Sequence, residues 1–278
     1  MKKLLVPTDF SEQSEYALNV AAQIAKDTNA EIVVTHMMGL HNTLINTTDN
    51  RSAEQALFQL KLSQKNFESF LDKDYLKGIQ VIDTVENQTV FSGINEVVKK
   101  NDIDLIIMGS HGTTGLMQDI FVGSNTEKVV RTSEVPVLVI KNKRENFKIN
   151  DVVFACDFKL ENINVYKQAM KLFQLFNANV HLIYINIPQK FKSTEQMKEM
   201  VTDFLTVVDG DSKKNIEKVV YFDDFSVEEG IFNYAKSVDA DLVAIPTHGR
   251  KGLAHFFAGS ITEDIANHLA MPVMTFKL

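Results

Sequence analysis

Two stretches of this chain have the residue types and spacing of an anion cradle. Thr247-His248-Gly249-Arg250-Lys251-Gly252-Leu253 leads through Ala254 to Ala258 into Gly259-Ser260-Ile261-Thr262-Glu263, a glycine-bearing loop that delivers the chain to a helix start. Gly259 lets the backbone approach a ligand with no Cβ in the way, and the free N–H groups of the following turn point toward an anion. Phosphate is the natural guest of such a loop. The first half repeats the pattern in Gly109-Ser110-His111-Gly112 and Gly123-Ser124-Asn125-Thr126-Glu127. Early in each half a short apolar run ends in an Asp-Phe pair, Asp9-Phe10 and Asp157-Phe158. A carboxylate is an acceptor at neutral pH, so the Asp suits an adenine amino group or a ribose hydroxyl and not the phosphates.

The same residues also have plain structural uses. Ser124-x-x-Glu127 and Ser260-x-x-Glu263 both match a capping box, a role compatible with ligand binding. The glycines suit turns that need positive φ. His111 and His248 recur in register, but neither loop offers a second His or Cys at metal-ligand spacing, so no metal site is expected. The two histidines are read as hydrogen bonders that fix their loops. Cys156 reads as a small strand-end residue with no reactive-thiol motif around it, and the Met and Phe residues read as core.

Positioning these groups takes a strand before each Asp, a strand before each glycine loop and a helix after it, and the chain writes that pattern twice. Leu4-Leu5-Val6-Pro7-Thr8-Asp9-Phe10 recurs as Val152-Val153-Phe154-Ala155-Cys156-Asp157-Phe158, an offset of 148. Asp104-Leu105-Ile106-Ile107-Met108-Gly109 recurs as Asp241-Leu242-Val243-Ala244-Ile245-Pro246 at an offset of 137. The eleven residues lost in between are assigned to the polar stretch Gly39 to Arg51, since loops tolerate length changes better than strands. Apolar runs predict five strands per half: Leu4–Val6, Ile32–Thr35, Gln80–Ile82, Leu105–Met108 and Val137–Ile140, then Val152–Ala155, Val180–Ile185, Val219–Phe222, Leu242–Ile245 and Val273–Phe276. Between the first two of each set, Ala17, Val20, Ala21 and Ile24, and likewise Tyr166, Ala169, Met170 and Phe173, make one buried helical stripe.

The fold class that follows is α/β, as two tandem doubly wound, Rossmann-like domains, each with a five-stranded parallel sheet. Domain 1 takes residues 1–142 and domain 2 residues 150–278, with the short polar segment Asn142 to Asn150 between them. So short a linker predicts a close, pseudo-twofold pair, and mutual pairing of the two last strands would cover both exposed edges. Ligands of such sheets collect at the carboxyl ends of the strands, which brings Asp157, the glycine loop and Ser260 to one crevice.

Composition narrows the partners. A net charge of -7 opposes binding to a nucleic-acid backbone, which needs clustered Lys and Arg, while a small anion can still be held by backbone N–H groups. Pro7 and Asp9 cut the opening apolar run far short of a secretory signal, and no stretch has the length and apolarity of a membrane span. The single cysteine forms no internal disulfide, so a cytoplasmic location is expected, with neither nucleic acid nor membrane as partner.

The Asp closing the first strand, the Gly-x-x-Gly and Gly-Ser elements, the string Gly-Ser-His-Gly-Thr-Thr-Gly-Leu and the closing Val-Pro-Val-Leu-Val-Ile resemble the universal stress protein family, twice over along the chain. For family members that bind ATP, the resemblance implies adenine near Asp9 and Met37, with Met108 and Gly109 bordering ribose and base. It places the triphosphate, with its magnesium, along Gly112, Gly123, Ser124 and Asn125. In the second half the corresponding residues are Asp157, Ile185, Ile245, Gly249, Gly259, Ser260 and Ile261. Both copies depart from the motif. Ten residues separate Gly112 from Gly123 where nine are usual, and Pro246 stands where the motif has its first glycine, removing one N–H and fixing φ.

The leading expectation is a stress-response protein that binds an adenine nucleotide, ATP, in one or both domains and acts as sensor or regulator. Its assembly is an intramolecular domain pair, as a monomer or a homodimer. The alternative is an interaction module that keeps the fold without nucleotide and works through its domain-pair surface, which the two motif departures favour. An enzyme, at most a slow ATPase, is the least favoured: Pro7-Thr8-Asp9-Phe10-Ser11 lacks the Ser-Gly-Gly of adenylating enzymes, and no acid, base and nucleophile converge in the motifs.

Overall fold

An apolar run with no polar alternation forms a strand buried on both faces, and Leu4-Leu5-Val6 behaves so, all three side chains fully buried at the centre of a parallel sheet. The computed structural model describes residues 1–38, 50–87, 90–110, 124–210, 216–247 and 271–278. Those up to Phe147 form one compact unit and those from Lys148 a second.

In the first unit the strands are β1 (Lys3–Thr8), β2 (Glu31–Met37), β3 (Val81–Glu86), β4 (Leu105–Gly109) and β5 (Val137–Ile140). They pair in the order β3-β2-β1-β4-β5, every pair parallel. The order reverses between β1 and β4, the switch point at which such sheets open a crevice. The helices are α1 (Glu12–Thr28), α2 (Asn50–Leu71), α3 (Val90–Asn101) and α4 (Ser124–Thr132). Ser11 caps α1 by accepting the Ser14 N–H at 3.3 Å, and Asn29 closes it in the left-handed conformation. Ala17, Val20, Ala21 and Ile24 are buried as the spacing predicts.

The second unit has β6 (Asp151–Ala155), β7 (Asn179–Asn186), β8 (Val220–Asp223), β9 (Leu242–Thr247) and β10 (Val273–Lys277), paired as β8-β7-β6-β9-β10 and again parallel. Its helices are α5 (Ile163–Leu175), α6 (Thr194–Asp209) and α7 (Val227–Ser237). On α5 the buried stripe is Tyr166, Ala169 and Phe173 joined by Val165 and Leu172; Met170, expected in it, is only half-buried. Phe154 of β6 meets Tyr166, Phe173 and Phe276 edge-on, each at 6.2 Å between ring centres. Among the described residues no helix is long and apolar enough to cross a membrane.

One carboxylate starts each sheet. Asp104 Oδ2 accepts the N–H groups of Lys2 and Lys3, at 2.5 and 3.1 Å, and Asp241 Oδ2 accepts those of Asn150 and Asp151, at 2.8 and 3.0 Å. The connecting segment is tied down as well: Gln23 donates to the Arg144 carbonyl and accepts the Phe147 N–H.

The length difference between the halves does not sit in one loop. The α2 helix has 22 residues against 16 in α6, six more. Twelve residues separate Met37 from Asn50, and seven separate Asn186 from Thr194, five more. Helix and connection therefore share the change, while most of the stretch from Gly39 lies outside the described residues. The reading of every Phe as core also fails: Phe58, Phe191 and Phe225 are exposed, the last at 80%. Each sits on a helix surface or in a loop, where no apolar neighbour follows from the sheet pattern.

Candidate functional site

The two Asp-Phe corners are built alike. Phe10 has φ 63° and Phe158 φ 51°, a left-handed backbone that bulky residues seldom adopt. Local hydrogen bonds hold it there. Thr8 Oγ1 accepts the Phe10 N–H at 2.9 Å, and Asp9 Oδ1 accepts the Ser11 N–H at 3.0 Å. In the second unit Cys156 Sγ accepts the Phe158 N–H and Asp157 Oδ1 the Lys159 N–H, both at 3.3 Å. Aromatic packing secures each turn: Phe10 lies edge-on to Phe67 and Phe70 of α2, and Phe158 to Phe204 of α6. Strain held by packing at a strand end is the mark of a positioned corner.

Behind this shared turn the units diverge. A Cβ on Gly109 would lie 2.3 Å from the Gln13 carbonyl oxygen and 2.8 Å from the Ser14 nitrogen, so the end of β4 presses on the first turn of α1 and only glycine fits. Thr126 Oγ1 then donates to the Gly109 carbonyl at 3.1 Å, fixing α4 to the same strand end. The second unit has Pro246 at the Gly109 position, a residue with the Cβ that Gly109 lacks. There the residues matching Gln13 and Ser14 are Glu161 and Asn162, and they sit in a 3₁₀ turn, Leu160–Asn162, with α5 starting only at Ile163.

That rearrangement borders a cleft of about 180 Å³ at the carboxyl ends of β6, β7 and β9. Its walls are largely apolar, from Ile185, Val227, Ile231, Ile245 and Pro246, with Asp157, Asn162 and Tyr184 bringing polar groups. Gly230 brings α7 close, since a Cβ there would come within 2.7 Å of Ile185 Cγ2. Asp157 is well engaged: Oδ1 accepts from the Lys159 N–H and Asn162 Nδ2, and Oδ2 pairs with Lys159 Nζ at 2.9 Å. That bond holds the Lys159 ammonium above its ordinary pKa. Asn162 is 1% exposed, and its Oδ1 has no hydrogen-bond partner among the described residues. Burial pushes the Cys156 thiol up to about 12, so it is no nucleophile. In the first unit partial burial opposes ionisation of Asp9, but hydrogen bonds from Ser11 and Ser14 outweigh it and hold the carboxyl below its ordinary value.

Of the residues the sequence singles out, Asp157, Ile185 and Ile245 line this one cleft. Asp9, Met37 and Gly109 stand at the carboxyl ends of β1, β2 and β4, with Met108 buried just before Gly109. Asn125 is exposed on the first turn of α4, and Ser124 opens that helix. The side chain of Ser124 lies outside the described residues, as do Gly112, Gly123, Gly249, Gly259, Ser260, Ile261 and both loop histidines. Sequence reasoning missed Asn162, Tyr184, Val227 and Ile231. A signal existed for two of them, because Val90-x-x-Gly93-Ile94 recurs as Val227-x-x-Gly230-Ile231.

Comparison with known proteins agrees with this architecture. Universal stress protein Slr1230 of Synechocystis is 22% identical in an alignment of 303 positions that covers all of both chains. Universal stress protein MJ0577 of Methanocaldococcus jannaschii is 32% identical over 158 residues, 96% of its own length and 51% of this chain. A solved universal stress protein from Archaeoglobus fulgidus shares the fold at a TM-score of 0.62 and 18% identity, over 99% of this chain and 96% of its own. The sequence model of the universal stress protein family matches residues 1–141 and matches again over residues 148–277. With the corner and the strand order each present in two copies, the chain belongs to the universal stress protein family, a stress-response class, as a tandem member.

Proposed function

We propose that this tandem protein binds an adenine nucleotide, ATP with magnesium, in at least its second unit and acts as a sensor or regulator. The observation that carries the reading is the cleft of about 180 Å³ that gathers Asp157, Ile185 and Ile245 at the carboxyl ends of three adjacent strands. Pockets for whole drug-sized ligands run to about 300–1,000 Å³, so this volume suits a base and part of a ribose. The apolar walls fit the faces of a heterocycle, and an unpaired acceptor beside a carboxylate fits its donor-bearing edge. The phosphates then fall to Gly249, Gly259, Ser260 and Ile261, and in the first unit Asp9, Met37, Met108 and Gly109 take the base end with Gly112, Gly123, Ser124 and Asn125 at the phosphates. Regulation follows if occupancy has different affinity for two arrangements of the domains or their partners.

Calorimetric titration of the nucleotide-stripped protein with ATP and magnesium tests the reading, with Gly123→Val and Gly259→Val alongside. Uptake at one or two sites, each lost with its own glycine, is expected. No heat and no shift in melting temperature at millimolar ATP would instead support the interaction-module reading.

A further inference from the structure

We propose that in the second unit Asn162, and not Asp157, reads the base, its Oδ1 accepting the exocyclic amino group of adenine while Asp157 holds the amide in place. The inference rests on the nucleotide reading of the cleft and names the residue that makes the site selective.

The orientation of the amide is fixed by chemistry. An ionised carboxylate only accepts hydrogen bonds, so the Asn162 NH₂ must face Asp157 Oδ1 and the carbonyl oxygen must face away from it. Among the described residues that oxygen is left without a partner, in a side chain 1% exposed that lines the cleft. Buried acceptors are nearly always satisfied, and an orphan calls for an occupant. Asn162 stands at the N-cap of α5, a place where its oxygen would ordinarily bond the first turn, yet its side chain makes no capping bond. The residue is therefore withheld from its usual structural use.

Asp157 is already occupied in part, since its oxygens accept from Lys159 twice and from Asn162. In the first unit a hydroxyl stands where the second has an amide. Ser14, which matches Asn162, accepts from Thr8 Oγ1 at 3.0 Å and donates to the Ser11 carbonyl at 2.9 Å, so its hydroxyl is satisfied. Ile185, Val227 and Ile231, which line the same cleft, bring no donor of their own, and the Tyr184 hydroxyl is its remaining neutral polar side chain besides Asn162. A base that places a keto oxygen at this point sets acceptor against acceptor. Selection of a 6-amino over a 6-oxo purine is the consequence.

Hydrogen-exchange titration of the full chain, read on peptides spanning residues 151–163 and 224–237, measures affinity in the second unit alone. ATP, ITP and 2′-deoxy-ATP are compared in the unaltered protein, Asn162→Leu and Asn162→Ala, with melting temperatures confirming that at least one variant is folded. The unaltered protein should prefer ATP to ITP by roughly tenfold or more, and the folded variants should lose that preference. A preference that survives both substitutions overturns the assignment of Asn162 while leaving nucleotide binding intact. Discrimination against 2′-deoxy-ATP that disappears with Asn162 in place of the ITP effect also overturns it, because the amide then reads the ribose. No protection by ATP in the unaltered protein removes the nucleotide reading of this unit and the inference together.

Discussion

Alanine at position 109 tests the corner most directly. Its methyl carbon would sit 2.3 Å from the Gln13 carbonyl oxygen, 2.4 Å from the carbonyl carbon and 2.8 Å from the Ser14 nitrogen. Carbon–oxygen contacts close no further than about 3.3 Å, so the first turn of α1 must withdraw by about 1 Å. No rotamer change relieves this, because all three atoms are backbone. Withdrawal loosens Ser14, Ala17 and Leu18, all buried on that helix. Overpacking of a close-packed core costs about 1–3 kcal/mol, and with a backbone shift added we expect about 3 kcal/mol for Gly109→Ala. Gly78→Ala is the control: its φ is +82° with nothing within 4 Å of an added Cβ, so only the left-handed backbone is penalised, by about 1–2 kcal/mol. Urea denaturation followed by circular dichroism gives the stability, and hydrogen exchange in α1 assigns the loss to the first unit, since a chain of two units need not unfold in one step. A cost for Gly109→Ala below about 1 kcal/mol would refute the close-packing argument.

Further substitutions probe the same architecture. Phe10→Gly should be more stable than Phe10→Ala by about 1 kcal/mol, because both lose the ring but only glycine adopts φ 63° freely; the usual order, alanine above glycine, would show that the left-handed turn is absent. Cys156, pushed up to about 12 by burial, should resist iodoacetamide at pH 8 in the native protein and react promptly in denaturant. With the folded thiol raised above its ordinary 9.0, its stabilising effect is complete below pH 9 and is lost between pH 9 and about 12, a loss that Cys156→Ala should remove from the alkaline denaturation curve. Ser193→Ala breaks a reciprocal capping box with Gln196 and should cost about 1 kcal/mol in the second unit, read by denaturation.

The sheets were legible because their central strands are buried on both faces. Leu105 to Met108 and Val152 to Phe154 announce themselves as unbroken apolar runs. Outlying strands were harder. The run Gln80–Ile82 marks the start of β3, but pairing with β2 continues from Ile32–Val81 to Met37–Glu86, through half-buried residues whose pattern carries Asp83 and Thr84. Asp9 and Asp157 were legible because the repeat put the same pair after the same strand. Tyr184 was not, since its apparent role was core and its position at the carboxyl end of β7 emerges only with the register Tyr184–Tyr221. Nothing in the first half foreshadows Asn162, because its counterpart is a serine satisfied by its own turn.

The two units differ at one strand end in a way that bears on the site. Gly109 admits an α-helical first turn against the strand, whereas the unit with Pro246 at that place has a 3₁₀ turn instead. The shift moves the residue after Glu161 to the cleft wall, where asparagine rather than serine supplies a polar group longer than the local turn can use. Read from sequence, Pro246 is a defect in a glycine motif. In the fold it accompanies a differently armed corner, with the carboxylate turned to support and the amide oxygen left for a ligand. If so, Pro246→Gly should not restore a better site. It should let α5 extend toward Leu160, bring Asn162 into a capping bond and weaken ATP binding in the second unit, whereas stronger binding would mean that the proline is a defect after all.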